Sequence, residues 1–318
     1  MGEAKRRKAS IEANPCICGS DQSAARCCFT TGRWHRAPAK IDLLSTGLVG
    51  HNDECYLGHL GVCSPKLSRE HLVSDAVLKV IQKERLTVEG FPWLPPGETH
   101  PIGAGSLVAK CLCKPHNSAL SALDTTAGKF FAAIEACDLA RDGRKEHHLF
   151  SGHDIERWFL KTLLAMGASK NFARNGKRLP AIFHSRIDAA ALLQDPQGWP
   201  IGAGMYFSQV VGDDLLRGDH FWMAPLTLPH TDEICGMKAS VQGLSFTFCA
   251  VVPDNTENIP LMTMGYRPDR IVFRVGAVDN IVELSWDDGQ PHGPIELTFA
   301  STAGELAATG RPMPRNAV

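Results

Sequence analysis

Apolar positions along the chain change their period near residue 199. Before it, VSDAVLKVIQKERL (73–86) repeats its apolar side chains at helical spacing, with Ser74 placed to cap its start. NSALSALDTTAGKFFAAIEACDLA (117–140) gathers Leu120, Leu123, Ala127, Phe130, Phe131 and Ile134 on one helical face, and HDIERWFLKTLLAMGAS (153–169) predicts a further helix. Between the first two, GFPWLPPGETHPIGAG (90–105) carries enough Pro and Gly to predict a loop. From about residue 199 the apolar residues come in short runs broken by turns: GMYFSQVV (204–211), LSFTFCAVV (244–252), RIVFRVGAV (270–278), IVELSW (281–286) and IELTFA (295–300). These runs predict strands, several close enough in sequence for antiparallel hairpins. The pattern is that of an α+β protein with a short N-terminal segment (1–40), a middle domain (41–150) and a C-terminal α+β domain (151–318) of antiparallel strands. There is no internal repeat, and the end GRPMPRNAV reads as a loose tail.

Charge separates the first segment from the rest. Residues 1–40 hold eight basic side chains against Glu3, Glu12 and Asp21, a local excess of five, and too few aliphatics to bury a core unaided. The whole chain balances 33 Lys and Arg against 34 Asp and Glu, so any contact with a polyanion must be local. With 44% hydrophobic residues over 318 positions, packed cores are within reach. No apolar run approaches the roughly 20 residues of a membrane-spanning helix. The basic start Lys5 to Lys8 leads into a polar stretch rather than a signal-peptide core, and Arg6 stands where a myristoylation site needs Ser or Thr. The expected location is the cytoplasm, without a membrane partner.

That compartment changes the meaning of the 11 cysteines, because cytosolic thiols stay reduced and a disulfide framework is excluded. Metal binding is the better account, since eight of them fall in close groups before residue 114, whereas Cys137, Cys235 and Cys249 are scattered and read as buried thiols. Zinc takes four thiolate or imidazole ligands in a tetrahedron, usually as two close pairs on tight turns. In PCICGSDQSAARCCF the pairs are Cys16 with Cys18 and Cys27 with Cys28, separated by eight residues, and Gly19 permits a sharp turn after the first. The run resembles the SEC-C motif, known from the C-terminal tail of the SecA translocation ATPase, in its C-x-C-G-S start, its gap and its final cysteine pair. The resemblance implies one structural Zn²⁺ and a small docking module, although DQSAAR replaces the usual Lys-rich middle.

A second group is less regular. Cys55 and Cys63 precede SREH (68–71), and CLCKPHN follows with Cys111, Cys113, His116 and Asn117. This order of soft ligands, acidic-His dipeptide, second pair and Asn resembles the zinc-stapled HNH (ββα-metal) nucleases. By position, the resemblance implies a second Zn²⁺ stapled by Cys55, Cys63, Cys113 and His116, a Mg²⁺ or similar cation held by Glu70 and Asn117, and His71 as general base. Thiolates suit Zn²⁺ whereas carboxylate and amide oxygens suit Mg²⁺, and imidazole titrates where a water must be deprotonated near neutral pH. Cys113 is preferred over Cys111 for its two-residue gap to His116, and His59 is a reserve ligand in the seven-residue interval between Cys55 and Cys63. Asp124, two turns on from Asn117, is the candidate for the missing last ligand of the family pattern. Its alternative is an exposed helix carboxylate.

Two functions follow as expectations. The first is a metal-dependent endonuclease whose substrate is nucleic acid, DNA foremost, with the basic N-terminal segment adding phosphate contact and residues 151–318 selecting substrate or partner. The second is a non-catalytic zinc adaptor that docks a protein or ribosome through its knuckle. His147 and His148 are expected on a solvated segment, His153 beside a helix start, and Trp158 and Phe159 in the core.

Overall fold

The computed structural model describes residues 11–300, apart from 82–85, 90, 96–97, 140–144, 175–176, 181–182, 184–186, 208–213, 217–221, 229–230, 242, 253–263 and 276–277. The basic run Lys5 to Lys8, the end of the strand expected over 204–211 and the C-terminal tail lie outside the described residues. In chain order the N-terminal part holds β1 (Phe29–Thr30), β2 (Arg33–Trp34), β3 (Leu67–His71), α1 (Asp75–Ile81), β4 (Leu86–Glu89), β5 (Thr99–Ile102), β6 (Val108–Cys113) and α2 (Lys114–Leu139). Then come β7 (His147–Ser151), α3 (Gly152–Ala168), β8 (Ala173–Arg174), β9 (Lys177–Arg178) and α4 (Ala189–Gln194). The remainder is β10 (Gly204–Phe207), β11 (Asp214–Leu216), β12 (Trp222–Thr227), β13 (Ile234–Val241), β14 (Leu244–Cys249), β15 (Gly265–Tyr266), β16 (Arg270–Val275), β17 (Val278–Ser285) and β18 (Pro294–Ala300).

The helices follow the apolar spacing. In α2, Leu120, Leu123, Ala127, Phe130, Phe131, Ile134 and Cys137 form one buried stripe, and the helix starts three residues before the expected 117 because Pro115 fits a first turn. Ser74 does not spend its hydroxyl on a helix cap: it donates to Asp124 and accepts from Trp158 Nε1 at 2.6 Å. The Pro- and Gly-rich stretch expected as a loop contains β5, which pairs antiparallel with β4.

Two five-stranded sheets cover α3. One, in the order β12-β13-β14-β10-β15, is antiparallel throughout. The other, β11-β18-β16-β17-β7, is mixed, a departure from the expected antiparallel strands. A hairpin supplies the antiparallel β16/β17 pair, but β18 returns to the far side of β16 and runs parallel to it, and β7 joins β17 in parallel from far back in the chain. Because β7 spans position 150, the segments 41–150 and 151–318 meet in one sheet, and a single hydrophobic cluster runs from Ile41 to Leu297.

Every residue from Gly152 to Gly167 in α3 is buried, Trp158 and Phe159 among them. Its charged side chains are therefore all paired: Asp154 with Arg157, Glu156 with Arg267, and Lys161 with Glu70 and Asp124. His147 and His148, expected on a solvated segment, lie half-buried in β7, with Nε2 atoms 3.1 Å from Glu283 and Glu146. Among the described residues no helix is long and apolar enough to cross a membrane.

Gly204 lets β10 approach α3. Its φ is +133°, and a Cβ there would meet Glu156 Oε1 and the Arg267 Nε at 3.0 Å. Gly204→Ala is expected to lose about 2 kcal/mol or more of stability in a urea titration, from backbone strain and a disturbed buried ion pair.

Candidate metal centre

At the N-terminal knuckle, Gly19 turns the chain at φ +81° and donates its N–H to the Cys16 carbonyl at 3.1 Å. The turn brings Cys16, Cys18, Cys27 and Cys28 together, all four sulfurs within 4.8 Å of one another, with Sγ of Cys27 3.5 Å from those of Cys18 and Cys28. Burial raises the Cys18 thiol, but bonds from the Ser20 hydroxyl and N–H, Cys16 and Cys27 together bring the group down to about 6. Cys16 and Cys28 sit against Leu149 of β7, which seats the knuckle on the edge of the mixed sheet.

The second group forms where β3, β6 and α2 meet. β3 pairs antiparallel with β6, Leu67 opposite Cys113, and α2 begins at the next residue. His116 therefore lies on the first turn of α2, and its Nδ1 is 3.5 Å from Cys55 Sγ, 3.6 Å from Cys63 Sγ and 3.3 Å from Cys113 Sγ. Nε2–H donates to the Leu43 carbonyl at 3.2 Å, which fixes the tautomer and turns Nδ1 toward the sulfurs. All four side chains are buried. Burial pushes the Cys63 thiol up to about 12 and lowers His116 below the ordinary imidazole value. The imidazole is thus ready to ligate at neutral pH, whereas binding an ion here must displace thiol protons. Both donor sets, thiolate-rich and four-membered, fit Zn²⁺. Cys111 is buried outside the group, and His59 is exposed and outside it as well.

The residues expected beside a catalytic cation are divided between two faces of β3. His71 faces outward with a side chain 32% exposed, its Nε2 4.0 Å from Asp75 Oδ1. Glu70 alternates inward and is 2% exposed. Instead of facing an open ion site, its Oε1 lies 2.6 Å from Lys161 Nζ, and the same ammonium is 2.7 and 2.6 Å from the two oxygens of Asp124. Burial raises the Glu70 carboxyl above the ordinary value, with Lys161 opposing. Lys161 rises because its two carboxylates outweigh its burial. Asn117 Nδ2 donates to Ser68 Oγ at 3.2 Å, and that hydroxyl donates to the Leu112 carbonyl. Lys161, Ser68 and the Leu43 carbonyl were not among the residues singled out from the sequence. Only Lys161 carried a signal, a lone cation amid the apolar run WFLKTLLAM.

Comparison with protein families, curated proteins and solved structures finds no match for the chain.

Protein purified with zinc in the medium is expected to hold about two Zn²⁺ per chain by atomic spectroscopy, falling to about one in Cys27→Ser or Cys113→Ser. Lys161→Met, which leaves two carboxylates without their counter-ion, is expected to lose about 3–5 kcal/mol in denaturant titration with both zinc ions retained. A stability loss under about 1 kcal/mol would show that the clamp contributes little.

Proposed function

We propose that the chain is a zinc-stapled nuclease of the HNH type, hydrolysing phosphodiester bonds of nucleic acid, DNA foremost, with a divalent cation. The carrying observation is the joint at which β6, paired antiparallel with β3, runs directly into α2 and Cys55, Cys63, Cys113 and His116 gather, with α1, β4 and β5 inserted between the two strands. That is the arrangement the HNH resemblance calls for, and the cysteine knuckle of SEC-C type is then an accessory module. His71, half-exposed at the end of β3, would take the proton of the attacking water. Asn117, on the first turn of α2, and Glu70 would supply oxygen ligands, Glu70 by exchanging Lys161 for the ion. A Mg²⁺ held there would neutralise charge on the phosphate.

One observation favours a second reading. Glu70 and Asp124 already share Lys161 as their counter-ion, which suits a non-catalytic zinc adaptor docking a protein or ribosome. Incubation of supercoiled plasmid with the protein and Mg²⁺ or Mn²⁺ divides the two. The nuclease reading expects nicking that drops about 100-fold or more in His71→Ala. Absence of nicking, or equal nicking by both proteins, rejects it and leaves the adaptor.

A further inference from the structure

Where the knuckle rests on β7, the β1–β2 hairpin overhangs the mixed sheet and encloses a cavity of about 850 Å³ against β7, β16, β17 and residues 286–292. The volume lies within the range of small-molecule sites, roughly 300–1,000 Å³. The wall on the knuckle side is aromatic: Trp34 packs edge-on to Phe29 at 4.9 Å and to His147 at 5.7 Å. Trp286 lines the other side, anchored by its Nε1–H on the Pro268 carbonyl at 2.9 Å and packed against Arg267 and His153.

Between the walls lies His292, whose Nε2 is 2.9 and 3.1 Å from the two oxygens of Asp288. Asp288 in turn accepts from Arg267 at 2.7 Å, and Arg267 is paired with Glu156 of α3. Burial works against the Asp288 charge, yet the bonds from His292, the Gln290 N–H and Arg267 bring the group down to about 2. The imidazole therefore stands on a fixed chain of charges that begins in the core.

The polar lining is unevenly satisfied. Arg33 and Lys145 have no carboxylate partner among the described residues, and Arg270 reaches Asp269 only at 3.5 Å. The oxygen it reaches, Asp269 Oδ1, is buried and makes no hydrogen bond, so this long ion pair is its one charged contact among the described residues. Cations without a carboxylate call for an anion, the two indoles of the lining for a planar ring, and a carboxylate oxygen held only by a distant guanidinium for an N–H or O–H donor. A nucleotide carries all three.

We propose that this cavity binds one nucleotide unit, its phosphate at Arg33, Lys145 and Arg270, its base against Trp34 and Trp286, and an amino or hydroxyl hydrogen on Asp269. The unit comes either as a free mononucleotide or as an unpaired residue of a nucleic-acid strand. The site uses none of the residues around His71 and does not depend on cleavage.

Calorimetric titration of the zinc-loaded full chain with AMP, with an oligoadenylate octamer and with inorganic phosphate tests it. Saturable binding of AMP or the octamer is expected with a Kd below about 1 mM. Phosphate alone should bind at least about tenfold more weakly. The double variant Arg33→Ala/Arg270→Ala, both positions exposed, should weaken binding about tenfold or more with zinc content and unfolding midpoint unchanged. His71→Ala should bind as the parent does, so that failure of the nuclease reading leaves this result intact. Tighter binding of AMP identifies a free nucleotide as the ligand, and tighter binding of the octamer identifies a strand. No saturable heat with either, or affinity unchanged in the double variant or matched by phosphate, overturns the assignment.

Discussion

A helix sealed from water on every side must neutralise each charge it carries, and α3 carries four that matter. Asp154 and Arg157 satisfy each other and also the backbone of Ala39 and Leu193, so the linker after the knuckle and helix α4 are tied to them. Glu156 takes Arg267 from the C-terminal strands. Lys161 takes Glu70 and Asp124 from the β3–β6–α2 unit. One buried rod thus holds two separate parts of the chain by ion pairs, and the segment at Ala39 and helix α4 by hydrogen bonds from a third pair within it. Such pairs add little over well-packed apolar residues but are costly to break one-sidedly, which makes them devices of registration more than of stability.

The candidate site sits between two of these fixings. The cysteine-histidine group clamps β3 near Leu67, through its register with Cys113, and Lys161 clamps it near Glu70. With the strand held on both sides, the outward direction of His71 follows from strand alternation alone. The knuckle is seated from the opposite direction, on Leu149, and the chain of contacts from Glu156 through Arg267 and Asp288 to His292 links the core to the cavity beneath it.

Much of this was legible in the sequence where chemistry is local. Close cysteine spacing announced the first ligand group and the HNH resemblance the second, the gap from Cys113 to His116 singled out the ligand over Cys111, and helical periodicity found α2 and α3. What is non-local was not legible. Nothing near Glu70 signals that a lysine 91 positions later points at it, and its acidic-His context reads equally well as an ion ligand. The parallel partners of β16 and β17 escaped for the same reason, since adjacency in sequence favours hairpins and a strand recruited from residue 147 leaves no local mark. His147 and His148 read as solvated because RKEHHLF is polar, yet on the edge strand β7 they are half-buried, His147 against Trp34 and Glu283 and His148 beside Glu146.

The pairing of β7 with β17 joins segments that leave the ribosome far apart in time. During synthesis β7 and α3 leave the ribosome well before their covering strands, and Glu156 lacks its guanidinium partner until Arg267 emerges. Until then α3 lacks its covering sheets, although Asp154 and Arg157 can pair within it and Lys161 has Glu70 and Asp124 already synthesised, and its closure waits on contacts far apart in the chain. The metal-ligand groups, complete by residue 116, can form earlier and hold the N-terminal third in shape during that interval.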